Sequence, residues 1–479
     1  MNPDTLTHIL QPYAPHHRPL LHFAPHRNWI NDPNGLVFLN GQYHLFFQHN
    51  PYGTDWGHMS WGHAVSKDLL HWEERPVALA EDDTTMIFSG CCVLDANNTS
   101  GFGTVDGPAL IALYTGHHHD SGLQTQNLAY SLDEGQSWTR YGVVLDEGIP
   151  DFRDPKVFWH EKTRCWIMAV VLAAHHQVVF YASQNLKSWE KRSVFGPEGH
   201  TGGIWEVPEL LELQDDAGES HWVLKVDLNP GGPFGGSGCQ YFVGQFDGWS
   251  FTSTQEARWL DHGKDFYAAI TFANLQDRTV WLGWMNNWEY ARNHVQGEYS
   301  GVMSLPREIR LQRTADGLIL CQTPIREWEE VWRALPCQQE LLVKADQEHD
   351  LLVLPEAALD LQAHFVGTEQ SILGIAFSVA GQLEWTLEFD VPDRKVTVSR
   401  QGSIEQSGFQ GEHSAPLESV EQHVRLIVDH STLEVFLNDG KQVFTEVFFP
   451  PQGESRLSLY TRSGQVKVQV FAVRGPQHP

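Results

Sequence analysis

A turn followed by tryptophan recurs along the first half of this chain, and its spacing constrains the fold more than any other feature. Copies of this repeat lie at residues 66–72, 131–138 and 183–189, with a shorter fourth copy at 247–249. The tryptophans of successive copies are 66, 51 and 60 residues apart. A unit of that size suits one four-stranded blade of a β-propeller, and roughly 320 residues at that period give about five blades. The alternative is that such turns recur by chance in a protein rich in strands.

Short runs of β-forming residues, separated by Gly, Pro, Asn and Asp, fill most of the chain and indicate an all-β fold. Leu36–Leu39 and Tyr43–Phe47, joined through Asn40-Gly41, have the pattern of a β-hairpin. Val424–Val428 and Leu433–Leu437 are β-rich runs near the other end, and the roughly 130 residues around them suit a β-sandwich. The sequence therefore predicts a β-propeller followed by a β-sandwich.

One segment between these two parts departs from the β pattern. Thr323-Pro324 suits a helix cap followed by proline at the first helical position, and Pro336 would end the helix. In between, apolar side chains recur at helical spacing, at positions 325, 328, 331, 332 and 335. We predict a propeller domain over residues 1–325, a linker with a short helix over 326–345, and a sandwich domain over 346–479.

Charge and cysteine content bear on partners and location. The 32 basic and 60 acidic side chains give a net charge of −28, which opposes binding to nucleic acid and to anionic membranes. The six cysteines show no C-x-x-C pair or regular spacing, so neither a zinc site nor a disulfide framework is predicted. Trp166–Ala174, the longest apolar run, is too short to span a bilayer, and the first twenty residues show no signal peptide. These features favour a cytoplasmic protein, or a secreted one if a leader has been removed, and leave the oligomeric state open.

Three acidic residues stand in unusual contexts: Asp32 in W-I-N-D-P-N-G, Asp154 in R-D-P and Glu206 in W-E-V-P. A retaining glycosidase uses one carboxylate as nucleophile and one carboxylic acid as proton donor, about 5 to 5.5 Å apart. Asp32 suits the nucleophile, and Glu206 suits the acid because Trp205 beside it provides an apolar setting that favours the protonated form. Next to Arg153, Asp154 is expected to stay ionised, to bind sugar hydroxyls and to offset positive charge in the transition state.

Each acid also has a plainer interpretation. Asp-Pro-Asn-Gly is in isolation a turn sequence, which Asp32 would cap through backbone N–H groups. Arg-Asp-Pro is commonly an exposed ion pair at a turn, and a glutamate beside tryptophan is often a solvated strand edge. The joint appearance of the three strings favours chemistry over these interpretations.

The strings around the acids resemble those of glycoside hydrolase family 32, the β-fructosidases that include invertases, exo-inulinases and levanases. The resemblance runs from about His22 to Leu311, and it includes F-F-Q-x-N-P at 46–51, W-G-x-M-x-W-G-H-A at 56–64, F-S-G at 88–90 and further strings at 263–269, 282–288 and 303–308. It implies a five-bladed propeller followed by a β-sandwich, and a mechanism that needs no metal or other cofactor. In that mechanism Asp32 is the nucleophile, Glu206 the acid/base and Asp154 the transition-state stabiliser.

The resemblance also implies a set of substrate-binding residues. A furanose presents C–H faces to aromatic rings and hydroxyls to polar side chains. Tyr267 and Trp288 match outer-pocket positions of the family, whereas Trp284 is expected in the core. The positions that line the fructose pocket match Asn31, Gln48, Trp56, Trp61, Phe88, Ser89 and Arg153.

Two positions depart from the family pattern. Val207 stands where cysteine commonly follows the acid/base, and Cys91 stands where serine commonly follows F-S-G. The first bears on the pH optimum, and the second on a hydrogen bond in the pocket. The histidines at 117–119 and 175–176 are expected in solvated loops, since consecutive side chains on a strand point to opposite faces and cannot share a metal.

We expect a retaining, exo-acting β-fructosidase that releases terminal fructose from sucrose or from fructans such as inulin and levan. The G-K-D-F-Y-A-A and W-M-N-N-W strings resemble the fructanase branch more than the sucrose-6-phosphate hydrolases. Two alternatives stay open, a fructosyltransferase that uses the same covalent intermediate and a noncatalytic fructan-binding propeller. The motifs do not rank sucrose, inulin and levan.

Overall fold

A computed structural model of the protein describes residues 15–293, 297–337, 340–402, 404 and 406–476. The outer ends of the two predicted domains, and most of the segment on which the signal-peptide interpretation rests, lie outside these residues. Within them, no helix combines the length and the apolar character needed to cross a bilayer. The helices are short 3₁₀ turns at Pro15–His17, Ala173–His175, Ala291–Asn293 and Arg326–Glu330.

Successive antiparallel sheets form the blades of a β-propeller, which confirms the predicted all-β class. Blade 1 contains β1 (Asn28–Leu39), β2 (Gln42–Asn50), β3 (Ser60–Ser66) and β4 (Trp72–Leu79). Blade 2 contains β5 (Thr85–Leu94), β6 (Leu110–His118), β7 (Gln124–Ser131) and β8 (Thr139–Leu145). Blade 3 contains β9 (Phe152–His160), β10 (Cys165–Leu172), β11 (Gln177–Ser183) and β12 (Glu190–Phe195).

The remaining two blades close the ring. Blade 4 contains β13 (Ile204–Gln214), β14 (Ser220–Asn229), β15 (Gly238–Phe246), β16 (Phe251–Ser253) and β17 (Arg258–Trp259). Blade 5 contains β18 (Tyr267–Thr271), β19 (Val280–Trp284), β21 (Arg307–Thr314) and β22 (Gly317–Pro324), whereas β20 (Tyr299–Ser300) leaves it to pair in parallel with β1. Each first strand contacts the first strands of both neighbouring blades, so β1, β5, β9, β13 and β18 surround the propeller axis.

The tryptophan repeat marks the turn between the third and fourth strands of blades 1 to 3. In each copy the indole N–H donates to a carbonyl three residues earlier, at 3.0, 3.1 and 3.0 Å for Trp72, Trp138 and Trp189. In blade 4 the Asp247 carboxylate accepts the backbone N–H groups of Trp249 and Ser250. The predicted repeat therefore corresponds to one turn that occurs at the same position in successive blades.

Two further sheets form the predicted β-sandwich. One sheet contains β23 (Trp332–Ala334), β24 (Glu340–Lys344), β26 (Ala358–Val366), β31 (Glu421–Asp429), β32 (Thr432–Leu437), β33 (Gln442–Val447) and β35 (Gln465–Pro476). The other contains β25 (Gln347–Leu354), β27 (Ile372–Val379), β28 (Gln382–Asp390), β29 (Lys395–Arg400), β30 (Gly411–Pro416) and β34 (Ser455–Ser463). Alternate apolar side chains of the two sheets meet in a core of their own.

The linker differs from its prediction. Thr323-Pro324 ends strand β22 rather than capping a helix, and the helical segment is only the 3₁₀ turn Arg326–Glu330. Trp332–Ala334 and Glu340–Lys344, predicted as linker, pair with β35 in the sandwich. Burial of Trp328 and Trp332 between the two domains explains the apolar spacing without a regular helix. We propose that the domain boundary lies at the 3₁₀ turn.

Candidate active site

A β-bulge occurs at the same level in all five strands around the axis. In each strand two residues face a single residue of the next strand, an arrangement that bends the strand and re-aims its side chains. In blades 1 to 3 the bulged pairs are Asn31-Asp32, Phe88-Ser89 and Asp154-Pro155. In blades 4 and 5 they are Val207-Pro208 and Ala268-Ala269, directly after Glu206 and Tyr267. The bulges therefore bring the predicted site residues together at one end of the axis.

Asp32 lies within β1 rather than in a turn, so the turn interpretation of Asp-Pro-Asn-Gly is wrong. Its carboxylate is buried and accepts two hydrogen bonds, from Asn31 Nδ2 at 2.9 Å and from Ser89 Oγ at 2.7 Å. Asn31 is itself held because its Oδ1 accepts the Trp29 indole N–H at 2.7 Å. These bonds fix the orientation of Asp32.

Arg153 joins the other two acids. Its Nε lies 3.3 Å from Glu206 Oε1 and 4.0 Å from Asp154 Oδ2, and Nη1 donates to Gln124 and Asp151. Asp154 Oδ2 also accepts the backbone N–H of the residue after Glu206, at 2.9 Å. The side chain of Glu206 is 17% exposed, whereas Asp154 is 6% and Asp32 7% exposed, so Glu206 is the most accessible of the three acids.

The electrostatics of the cluster differ from the sequence-based expectation. Burial raises the pKa of Asp32 to about 6, assisted by the charge of Glu206 and opposed by the bonds from Asn31 and Ser89. Burial likewise raises the pKa of Asp154 to about 7, despite the guanidinium of Arg153. The sequence predicts an ionised Asp154 beside that arginine, but burial and the two other carboxylates outweigh the arginine. The cluster therefore retains a proton near neutral pH.

Tyr267 lies deeper than its predicted outer-pocket position. It is buried, and its hydroxyl donates to Glu206 Oε2 at 2.6 Å. Burial raises its pKa well above the usual range, and the charges of Glu206, Asp227 and Asp32 add to the effect. The phenol therefore stays a hydrogen-bond donor that orients Glu206.

Aromatic side chains form the rim above the acids. Trp56 and Phe88 meet edge to face with their centroids 6.1 Å apart, and Trp288 stacks on Trp29 at 6.0 Å. The guanidinium of Arg292 lies 4.7 Å from the ring centre of Trp56 and 5.4 Å from that of Trp288. Sequence reasoning missed Arg292, because no motif marks a residue that reaches the site from a 3₁₀ turn.

His117 also belongs to this rim, contrary to the predicted solvated loop. It lies at the end of β6, and its ring stacks on Phe88 with the centroids 4.8 Å apart. His118 is likewise in β6, and His175 lies in a 3₁₀ turn. Stacking against Phe88 is a tertiary contact, which the sequence could not show.

Two predicted pocket residues support the site from behind. Trp61 is fully buried, so its ring cannot touch a ligand; its indole N–H donates to the Phe88 carbonyl at 2.9 Å. Gln48 donates to Asn34 Oδ1 at 2.8 Å and to the carbonyl of the residue before Phe88 at 3.1 Å. Trp284 is fully buried, as predicted.

Cys91 and Val207, the two departures from the family pattern, each take part in a backbone hydrogen bond. Cys91 is buried, and its Sγ accepts the Val157 backbone N–H at 3.1 Å. Val207 adopts a positive φ of 43° at the bulge, which directs its N–H to Asp154. A β-branched residue rarely adopts this conformation, so the site holds local strain there.

Within the described residues, two groups of His, Asp and Glu side chains away from these acids are close enough together to hold a metal ion. One group is His364, Glu421 and His423 on the sandwich, and the other is Asp215, Glu219 and His221 on blade 4. Arg313 pairs with both Asp215 and Glu219, so a cation already occupies the second group. Neither group belongs to the candidate active site.

Three acidic side chains that meet at one end of a five-bladed propeller suit a glycoside hydrolase. The chain belongs to glycosyl hydrolases family 32: the N-terminal domain of that family matches residues 22–324, and its C-terminal domain matches residues 327–474.

Two characterised proteins and a solved structure are similar to this chain over nearly its whole length. The levanase of Bacillus subtilis (strain 168) is 41% identical over 482 residues, covering 96% of this chain and 70% of that protein. The extracellular exo-inulinase of Aspergillus awamori is 37% identical over 513 residues, covering 97% and 95%. A fructofuranosidase variant from Schwanniomyces occidentalis complexed with fructosylnystose superposes with a TM-score of 0.90 at 30% identity, covering 98% of this chain and 99% of that one.

Proposed function

We propose that this enzyme is a retaining, exo-acting β-fructosidase that releases terminal fructose from sucrose and from β-linked fructans. The observation that carries the proposal is the convergence of three electrostatically coupled carboxyl groups at one end of the propeller axis, of which Asp32 and Asp154 are buried and Glu206 is partly exposed. The named activities of the relatives, levanase and exo-inulinase, support fructans as the substrate class. The fructosylnystose bound by the Schwanniomyces enzyme supports it further.

In the first step, Asp32 attacks the anomeric carbon of the terminal fructosyl unit. The bond to the leaving oxygen breaks as Glu206 transfers its proton to that oxygen, and an ester between fructose and Asp32 forms. Asn31 and Ser89 hold the attacking carboxylate in one orientation. In the reacting state the proton that the cluster retains is on Glu206 and Asp154 is ionised. Asp154 then accepts hydrogen bonds from fructosyl hydroxyls, and its negative charge stabilises the positive charge that develops on the ring.

In the second step, water hydrolyses the ester. Glu206 now removes a proton from the water, whose oxygen attacks the anomeric carbon as the bond to Asp32 breaks. Fructose leaves with its original configuration after two inversions. The Tyr267 hydroxyl keeps Glu206 in place during both steps.

Closure of the pocket at its base supports exo action. Below the acids, the Lys156 ammonium lies 2.9 Å from Glu209 Oε1 and bonds to Thr271, filling the axis with buried polar groups. The void next to the acids, between Ser89, Asp154 and Lys156, is about 10 Å³ and too small for a sugar; a cavity of about 360 Å³ lies on the other side of Lys156 and Glu209. This closed floor stops a fructan from passing through the axis beyond the acids, which supports binding by a chain end.

The test is a product profile on sucrose, inulin and levan. We expect fructose as the sole early product from both fructans, and Glu206→Gln should lower kcat by about three orders of magnitude with unchanged folding. Glu212→Gln, an exposed glutamate on the same strand, is the matched control and should keep wild-type turnover. Early release of oligofructosides, net transfer to sugars at ordinary sucrose concentrations, or activity confined to phosphorylated sucrose would contradict the proposal.

The place where the enzyme acts stays a prediction. Sequence analysis favours the cytoplasm, whereas the Aspergillus relative is named extracellular. Fractionation of the producing cells, with fructosidase activity followed in each fraction, decides between the two locations.

A further inference from the structure

A polar groove of about 480 Å³ lies on the outer face of the six-stranded sheet of the sandwich. Alternate residues of β27 and β34, such as Ile375, Phe377 and Leu459, point inward to the sandwich core. The residues between them face outward and line the groove. This surface plays no part in the site at the propeller axis.

The floor of the groove is built from small side chains in register. Ser458, Ala376, Thr386 and Ser399 stand side by side on four neighbouring strands. Longer side chains, including Glu348, Arg456 and Lys395, border this row. A sheet with a small-residue floor and tall sides forms a trough that suits an extended chain.

An aromatic ring lies across the adjacent row. Tyr460 pairs directly with Gly374, and Gly374 pairs on its other side with Glu388. A Cβ added at Gly374 would lie 2.0 Å from the Tyr460 ring, so the ring covers the glycine. Its hydroxyl reaches over to donate to Glu388 Oε2 at 3.0 Å. The glycine therefore lets the half-buried tyrosine lie flat on the sheet as a platform against which the C–H face of a sugar can stack.

Both arginines that line the groove pair with carboxylates. Arg462 lies 3.2 Å from Glu388, Arg456 pairs with Asp350, and the Ser458 hydroxyl donates to Glu348 at 2.9 Å. Four acidic and three basic side chains line the groove, so its charge is nearly balanced. A nucleic acid would find no positive field here, and the net charge of −28 opposes any polyanion. A neutral chain rich in hydroxyl groups is the ligand that fits.

We propose that this groove is a second, noncatalytic site that binds the chain of a β-fructan and holds polymeric substrate on the enzyme. The inference rests on the proposed function, which supplies the fructan. Because a bound polymer raises the local concentration of chain ends, the groove should affect turnover of long fructans and leave sucrose hydrolysis unchanged.

The test is affinity electrophoresis of the full chain in native gels that contain inulin, levan or dextran, in a catalytically inert Asp32→Asn background. We expect retention by at least one of the fructans and not by dextran. Tyr460→Ala should weaken this retention about tenfold, whereas Tyr460→Phe, which keeps the ring, should stay close to the parent. Tyr141→Ala removes a tyrosine that is 50% exposed on a propeller blade and is the matched control.

In the active enzyme, Tyr460→Ala should raise KM for the retaining fructan by about fivefold to tenfold and leave kcat and KM for sucrose unchanged. Circular dichroism and the melting temperature confirm that the variants fold. Equal retention of the parent and Tyr460→Ala, equal retention by dextran, or no retention by either fructan would overturn the proposal. Sucrose turnover by the parent enzyme tests the proposed function separately, so the two failures are distinguishable.

Discussion

For the three acids, the sequence predicts which residues form the site but not their protonation. The three acids could be found in the sequence because each stands in an uncommon string, and the structure brings Asp32, Asp154 and Glu206 to one end of the axis. Their protonation could not be read in the same way. The pKa of Asp154 rises to about 7 although Arg153 is its neighbour in sequence, because burial and two carboxylates from other blades outweigh the arginine. Such neighbours exist only after folding.

The buried charge of Asp32 predicts a trade between activity and stability. The pKa of Asp32 is about 6 in the folded protein and 3.8 for an ordinary aspartate, so its contribution to stability falls as the pH rises from about 4 to about 6 and is least favourable above pH 6. Asp32→Asn should raise the free energy of unfolding by about 3 kcal/mol at pH 8 while it abolishes turnover. The gain should shrink between pH 6 and pH 4, where the wild-type carboxyl takes up its proton.

Urea unfolding of both proteins at pH 4, 6 and 8 measures this difference. Asp106→Asn, which replaces an exposed aspartate, is the control and should show no such pH-dependent gain. A variant less stable than wild type at pH 8 would contradict the account.

At the scale of elements, the site depends on five bulges in the strands around the axis. A bulge is a feature of strand pairing, so the local sequence alone does not reveal it. Pro33, Pro155 and Pro208 nevertheless stand beside or within three of the bulges, where the missing N–H of proline costs no ladder bond. At Asp32, the sequence signal that distinguishes a bulged strand from a turn is a proline next to the acid within a strand-forming segment.

The bulge of blade 5 makes a prediction about Ala268. This residue has φ of 55° in the left-handed region and directly follows Tyr267, which orients Glu206. Ala268→Gly should keep kcat and change the free energy of unfolding by no more than about 1 kcal/mol, on the stabilising side. Ala268→Val should destabilise the fold by more than that and lower kcat, since a β-branched residue resists this conformation.

Denaturant unfolding and steady-state kinetics on sucrose compare the two variants. If Ala268→Val and Ala268→Gly have the same free energy of unfolding and the same kcat, the predicted role of the backbone at Ala268 is contradicted.

At the scale of the whole molecule, the order of propeller and sandwich could be predicted, because repeat spacing and β-rich runs are local features. The contact between the domains could not. Ile427, Phe436 and Val443 of the sandwich join the propeller core, and Trp328 and Trp332 fill the same interface. The apolar spacing around Trp328 and Trp332 predicts a helix wrongly, because a segment buried between two domains needs apolar residues whatever its backbone conformation.

Buried charges at that interface make a prediction about stability. Arg307 of β21 is fully buried and donates to Glu434 Oε2 at 2.8 and 3.0 Å and to Thr445 Oγ1 at 2.6 Å. Arg307→Met leaves Glu434 without this partner and should cost about 3 to 5 kcal/mol of stability. Arg310→Met, on the same strand but exposed, is the control and should cost less than about 1 kcal/mol.

Unfolding by urea, followed by tryptophan fluorescence and circular dichroism, measures both variants. Equal stability of the two variants would contradict the structural role of Arg307.

The central claim, that Asp32 attacks the sugar while Glu206 supplies and removes the proton, is tested most directly by trapping the covalent intermediate. Glu206→Gln is mixed with an activated fructoside whose leaving group needs no protonation, so the first step proceeds and the second is slow. Digestion and mass spectrometry should find one fructosyl group on the peptide that contains Asp32. A fructosyl group on another carboxylate, or no adduct together with release of fructose of inverted configuration, would contradict the account.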